Sequence, residues 1–233
     1  MHGFRSVNRD LRSGTSERRQ LPDRSALARG PRPPLGTEAA RRSLTGANAR
    51  AVILVEGWSD QAALESLARR RGRDLASQGI GVVPIGGITN LGKFAAALGP
   101  RGLGLALAGL YDAAEEPSVK RTLQRLGLGG ELSREDVEAA GFFVCEADLE
   151  DELIRALGPA AVERVLDGEG ELESFRRFQD QPAQRGRSTL AHLRRFMGTR
   201  ARRKIRYGSL LVDALALDHV PRALDLVLAY HRR

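Results

Sequence analysis

The 233-residue chain has a single cysteine, Cys145, so it forms no internal disulfide. That thiol lies in the apolar run GFFVC, where a cysteine packs as a small core side chain, in keeping with a reducing cytoplasm. Histidine is scarce as well. His2, His192, His219 and His231 have none of the spacing of a zinc site. Aromatic residues make up 5% of the chain, too few for a single-strand binder built on stacked bases. No apolar run approaches the roughly 18 residues of a membrane span. The N-terminus has no apolar core of a secretory signal, so a cytoplasmic protein without membrane attachment is expected.

Charge is abundant but segregated. Residues 1–50 carry 11 arginines against 4 acids, residues 51–184 have a net charge of −8, and residues 185–233 have a net charge of +9. The acidic middle suits a cation site, and the basic flanks suit a polyanion such as DNA or RNA. Residues 1–48 are rich in Arg, Ser, Gly and Pro without periodicity, and are expected to be disordered.

From Ala51 the pattern changes. AVILV is a buried-strand run that stops at Glu56, turns at Gly57 and enters a helix over 60–71 capped by Ser59, with Asp60 in its first turn. LGLALAGLY (103–111) ends in Asp112, followed by Ala113, Ala114, Glu115 and Glu116, with Pro117 opening another helix. GFFVC leads into EADLEDELIRAL, which places Asp148, Glu150, Asp151 and Glu152 at a helix start. Three apolar runs ending in acid put carboxylates along one edge of one sheet, where open α/β sheets bind ligands. Hard divalent cations take such oxygen donors.

Strands at about 51–55, 80–84, 104–111 and 142–145, separated by helical stretches, make a small parallel sheet flanked by helices. From Pro159 onward the periodicity is helical, with Phe175, Phe178 and Phe196 at core positions. GGITNLGKF has nearly the phosphate-loop spacing, Gly87-x4-Gly92-Lys93, with Thr89 or Asn90 as a helix cap. Phe94 stands where that motif needs Ser or Thr, so structural turn glycines are the better reading. The stretch 192–208 holds eight basic residues counting His192. It is read as a phosphate-gripping approach to the acids, set against a solvated helix face.

VEG-x-x-D after the first strand, the acidic run after a later one, and DLEDEL together resemble the TOPRIM domain of OLD-family (overcoming lysogenization defect) nucleases over roughly residues 50–210. The resemblance implies a Rossmann-like TOPRIM fold over 49–158, a helical extension over 159–233, and metal-dependent phosphodiester hydrolysis of DNA or RNA. By the same resemblance Glu56, Asp60, Asp112 and Glu150 belong to the metal set, which Glu115 completes in place of a missing aspartate, holding one or two Mg²⁺ (or Mn²⁺) ions. Glu56, Asp112 and Lys204 are the catalytic set, and Arg200, Arg202, Arg203, Lys204 and Arg206 the nucleic-acid contacts. Many OLD proteins place an ATPase before this domain, so an ATPase on a separate chain is a candidate partner. One departure stands out: the family's D-x-D is here Asp112-Ala113-Ala114, leaving Glu115 or Glu116 to supply the second acid. That change keeps two other readings open: an inactive nucleic-acid- or partner-binding module, and a nucleotidyl transferase.

Overall fold

The computed structural model describes residues 36–231. Four parallel strands form one sheet: β1 (Ala51–Val55), β2 (Ile80–Pro84), β3 (Ala106–Asp112) and β4 (Phe142–Cys145), in the order β2-β1-β3-β4. The register pairs Leu54 with Gly109 and Asp112 with Cys145. The chain moves outward from β1 to β2 on one side and from β3 to β4 on the other, so the topological switch lies between β1 and β3. The crevice at their carboxyl ends is where such sheets take ligands. The four strands expected from sequence are all present, with β3 two residues later at its start.

Every residue of β1 is buried, yet the strand's two-residue period still sorts its side chains between two cores. Ala51, Ile53 and Val55 face a core shared with Leu64 and Leu67 and with the C-terminal helices. Val52 and Leu54 face a second core with Phe94, Leu98, Val119 and Leu123. Both sheet faces are therefore covered, which is why the strands read as continuous apolar runs.

On the second face lie α1 (Thr37–Gly46), α3 (Leu91–Leu98) and α4 (Glu116–Leu126). The helix α1 departs from the expected disorder to residue 48. Ala40 and Leu44 sit four residues apart, and both are buried in this core. Leu44 packs over Gly81 of β2, where an added Cβ would meet its side chain. The rest of that expectation, residues 1–35, lies outside the described residues.

On the first face, α2 (Trp58–Arg70) begins two residues earlier than expected. Ser59 is not its cap: the chain turns at Gly57, whose N–H donates to Asp60 Oδ2 at 2.7 Å. After α5 (Arg134–Ala139) and β4 come α6 (Leu149–Leu157), α7 (Pro159–Gly168), α8 (Leu172–Gln179), α9 (Thr189–Gly198), α10 (Ala201–Ala214) and α11 (Arg222–Tyr230). These helices share the core of α2, and Phe175, Phe178 and Phe196 pack together within it.

α10 lies against α2 more extensively than any other pair of helices among the described residues. Gly208 makes this possible. A Cβ there would stand 2.5 Å from the Ser59 carbonyl oxygen. That contact holds the α10 backbone against the first turn of α2 and brings Lys204, one helical turn before Gly208, to the carboxyl edge of the sheet.

Candidate metal centre

A cleft of about 170 Å³ opens at this edge, lined by acids from three successive strand ends. Glu56 follows β1 and is exposed. Asp112 ends β3 and is half-buried. Asp60 comes from the first turn of α2, Asp148 and Glu150 from the start of α6, and Lys204 from α10. One turn of 3-10 helix, Ala113–Glu115, then folds Glu115 back. Glu56, Asp112 and Glu115 each present a carboxylate oxygen, all within 4.8 Å of one another. Glu116 goes elsewhere, to Lys120 at 2.8 Å and Arg134 at 2.8 Å. Of the two glutamates left open by Ala114, Glu115 reaches the cluster.

Crowding like charges at a half-buried edge favours protonation. Burial, then Glu56, Asp148, Glu115 and Asp60, push the Asp112 carboxyl up to about 7. Asp60 is also pushed up to about 7, by burial and then Glu150, against the opposing pull of the Gly57 N–H and Lys204. Burial and Glu56 raise Glu115. Burial alone would lower Lys204, but Glu150 and Asp60 outweigh it and hold the ammonium above its usual range.

These residues fit a hard divalent cation. The donors are carboxylate oxygens, and Glu115 Oε2 and Glu150 Oε1 are buried without a hydrogen-bond partner. A cation would offset both the burial and the mutual repulsion that raise these carboxyls. Soft-metal chemistry has no such footing: burial pushes the Cys145 thiol up, and His192 is held by the Gln184 carbonyl at 2.8 Å.

The Gly86–Gly87 turn forms another wall of the cleft. Both its N–H groups point to the Glu56 carbonyl, at 2.9 and 3.3 Å, and Phe94 is buried core. The near-phosphate-loop spacing is thus a structural turn. Asn90 precedes α3, but its side chain bonds back to the Ile85 and Gly86 carbonyls rather than capping the helix.

The basic stretch divides three ways. Arg200 and Arg202 are exposed. Lys204 turns into the cleft, with Nζ 3.2 Å from Glu150 Oε2. Arg203 corrects the sequence expectation. It is buried, bonds Glu171 at 2.6 Å and stacks on Phe196 at 3.9 Å, so it cements the helices instead of standing open to solvent. Arg206 likewise pairs with Glu169. Sequence reasoning passed over Arg194, which clasps Asp148 Oδ2 through Nε at 3.0 Å and Nη2 at 2.5 Å. It named Asp148 among the acids at the helix start without placing it in the metal set; its Oδ1 caps α6 by accepting from Asp151 N–H. Its sequence signal was its place as the first residue of DLEDEL, at the helix start.

A family model for the TOPRIM domain of overcoming lysogenization defect protein-like proteins matches residues 49–113, from β1 through Asp112. The chain carries an OLD-like TOPRIM domain. Among solved structures, the C-terminal region of the Xanthomonas campestris pv. campestris OLD protein is similar at 27% identity and a TM-score of 0.60. That match covers 79% of this chain and 93% of that one. The C-terminal region of the Burkholderia pseudomallei OLD protein shares the fold at 24% identity and a TM-score of 0.59, covering 79% and 97%. A search of the curated proteins finds no match. The likeness to the OLD structures extends well past the matched TOPRIM residues, so the helical C-terminal part belongs to the shared fold. Among the described residues, no helix is long and apolar enough to cross a membrane.

Proposed function

We propose that this OLD-like TOPRIM protein is a Mg²⁺- or Mn²⁺-dependent phosphodiester hydrolase acting on DNA or RNA in the cytoplasm. The observation that carries the reading is the Glu56–Asp112–Glu115 triad, three oxygens within 4.8 Å at the switch point of the sheet. These three residues would hold the ion, which when bound supplies Lewis acidity toward a phosphate and an activated water.

The chain's own groups supply the rest. Lys204 brings a fixed positive charge to the cleft, where charge develops on a phosphate under attack. Asp60, aligned by the Gly57 N–H, carries a proton near neutral pH and can exchange it within the cleft. Arg200 and Arg202, exposed on the same stretch as Lys204, suit contacts to flanking phosphates, which position a substrate without reading its sequence. An ATPase on a separate chain is the partner expected from the OLD resemblance.

The test is cleavage of supercoiled plasmid, linear DNA and RNA by the full chain in Mg²⁺, Mn²⁺ or EDTA. Glu56→Gln, Asp112→Asn and Glu115→Gln should each lose more than about 100-fold, the upper end of what removing a group behind a metal ligand costs. Glu116→Gln, tied instead to Lys120 and Arg134, should keep its activity. Folded protein that cleaves nothing refutes the hydrolase. It would favour a binding module, while incorporation of labelled nucleotides would favour a transferase.

A further inference from the structure

The acids lining the cleft, with Glu115 beside them, fall into two groups. No ion pair among the described residues reaches Glu56, Asp112 or Glu115, which converge within 4.8 Å. The inner acids are all engaged by the chain itself. Asp60 accepts from the Gly57 N–H at 2.7 Å through Oδ2 and from the Ser59 hydroxyl at 3.4 Å through Oδ1. Asp148 spends one oxygen on the α6 cap and the other on Arg194. Glu150 is 5% exposed, and its Oε2 holds the Lys204 ammonium at 3.2 Å. The one open acceptor in this group, Glu150 Oε1, belongs to the carboxylate that already holds Lys204.

A carboxylate as buried as Glu150 needs a cation beside it. Lys204 meets that need, and its position is built into the backbone by the approach of Gly208 to Ser59. A divalent ion on Glu150 would sit against a fixed ammonium and be repelled by it. Ala114 offers no donor atom to offset this.

Building on the metal-dependent reading above, we propose that the cleft takes one divalent cation, on Glu56, Asp112 and Glu115. The Lys204 ammonium is then the resident counter-ion of the inner acids, standing where a second ion would otherwise bind. Asp60 and Glu150 thus shape and neutralise the site without ligating the metal, and Arg194 holds Asp148 in the same inner, self-compensated group.

The experiment is Mn²⁺ titration of the full chain, with free Mn²⁺ read by electron paramagnetic resonance. Wild type should bind one ion per chain, and Lys204→Met, with the counter-ion gone, should bind two. Glu150→Gln should keep one ion with affinity changed less than about threefold, whereas loss of a true ligand exceeds about tenfold. Two ions on wild type, one ion on a folded Lys204→Met, or a large affinity loss in Glu150→Gln each overturns the proposal. If Lys204→Met does not fold, as judged by circular dichroism, the wild-type count and Glu150→Gln still decide it. Wild type that binds no Mn²⁺ refutes the metal reading itself, a separate failure from a wrong count.

Discussion

Replacing Gly208 with alanine tests whether the α2–α10 contact builds the site. The new Cβ would stand 2.5 Å from the Ser59 carbonyl oxygen and 3.2 Å from its carbon. Both are backbone atoms of a buried residue, so no side-chain tip can swing away. Reaching ordinary contact requires the helices to part by about 0.9 Å, the gap between 2.5 Å and 3.4 Å. Overpacking of this kind costs about 1–3 kcal/mol, and alanine's better helix propensity returns about 1 kcal/mol. A backbone clash belongs in the upper part of that range, leaving a net loss of about 1–2 kcal/mol. For a domain of this size that lowers Tm by about 2–8 °C. The same shift carries Lys204 away from Glu150, and misplacement on this scale can cost about 100-fold in rate. Thermal and urea unfolding measure the first effect, and cleavage well below Tm measures the second. Gly198, at the end of α9, is the control, because nothing lies within 4 Å of its added Cβ. Gly198→Ala should be neutral or gain up to about 1 kcal/mol. A Gly208→Ala protein as stable and active as wild type would refute the reasoning, as would equal damage from both substitutions.

Asp60 and Asp112 keep their protons to about 7 in the fold, against an ordinary 3.8. Between those values the folded chain binds more protons than the unfolded one. Their contribution to stability is complete below 3.8 and is lost as pH rises through about 7. In EDTA, Tm should fall from pH 5 to pH 8 and the slope should flatten in Asp112→Asn, while Mg²⁺ stabilisation grows over the same range as its ligands deprotonate. A Tm in EDTA that climbs through pH 6–8 contradicts this assignment. Arg203→Ala should lose about 2–4 kcal/mol by removing the nearer partner of Glu171, leaving it to Arg206 at 3.9 Å, and by uncovering Phe196. Exposed Arg202→Ala should shift stability by no more than about 0.5 kcal/mol and weaken DNA binding in a salt-dependent way, as fluorescence anisotropy would show. Equal melting losses in the two arginine variants would undo this division of the basic stretch.

The sheet was legible because parallel strands covered on both faces are apolar throughout, as AVILV is, and because each run stops abruptly at an acid. Glu56, Asp60 and Asp112 could be read from those stops. The choice between Glu115 and Glu116 could not, since it depends on one turn of 3-10 helix and on Lys120 and Arg134 claiming Glu116. Composition masked α1, because an arginine-rich segment with only two core contacts, Ala40 and Leu44, gives a weak periodic signal. The basic run looked uniform in sequence, yet neighbours such as Arg202 and Arg203 point to opposite environments, one to solvent and one to Glu171. Gly208 carried no local signal, because its role exists only where two helices distant in sequence meet.

That meeting point also sets the order in which the site can come into being. Glu56, Asp60 and Asp112 belong to the sheet and its first helix, while Lys204 arrives from a helix far along the chain. Before α10 docks, the crevice is a bare concentration of negative charge that repels a phosphate backbone. Afterwards it holds the Lys204 ammonium beside Glu150. How negative a field a nucleic acid would meet is therefore decided by tertiary assembly, which makes the crevice a reporter of whether the fold is complete.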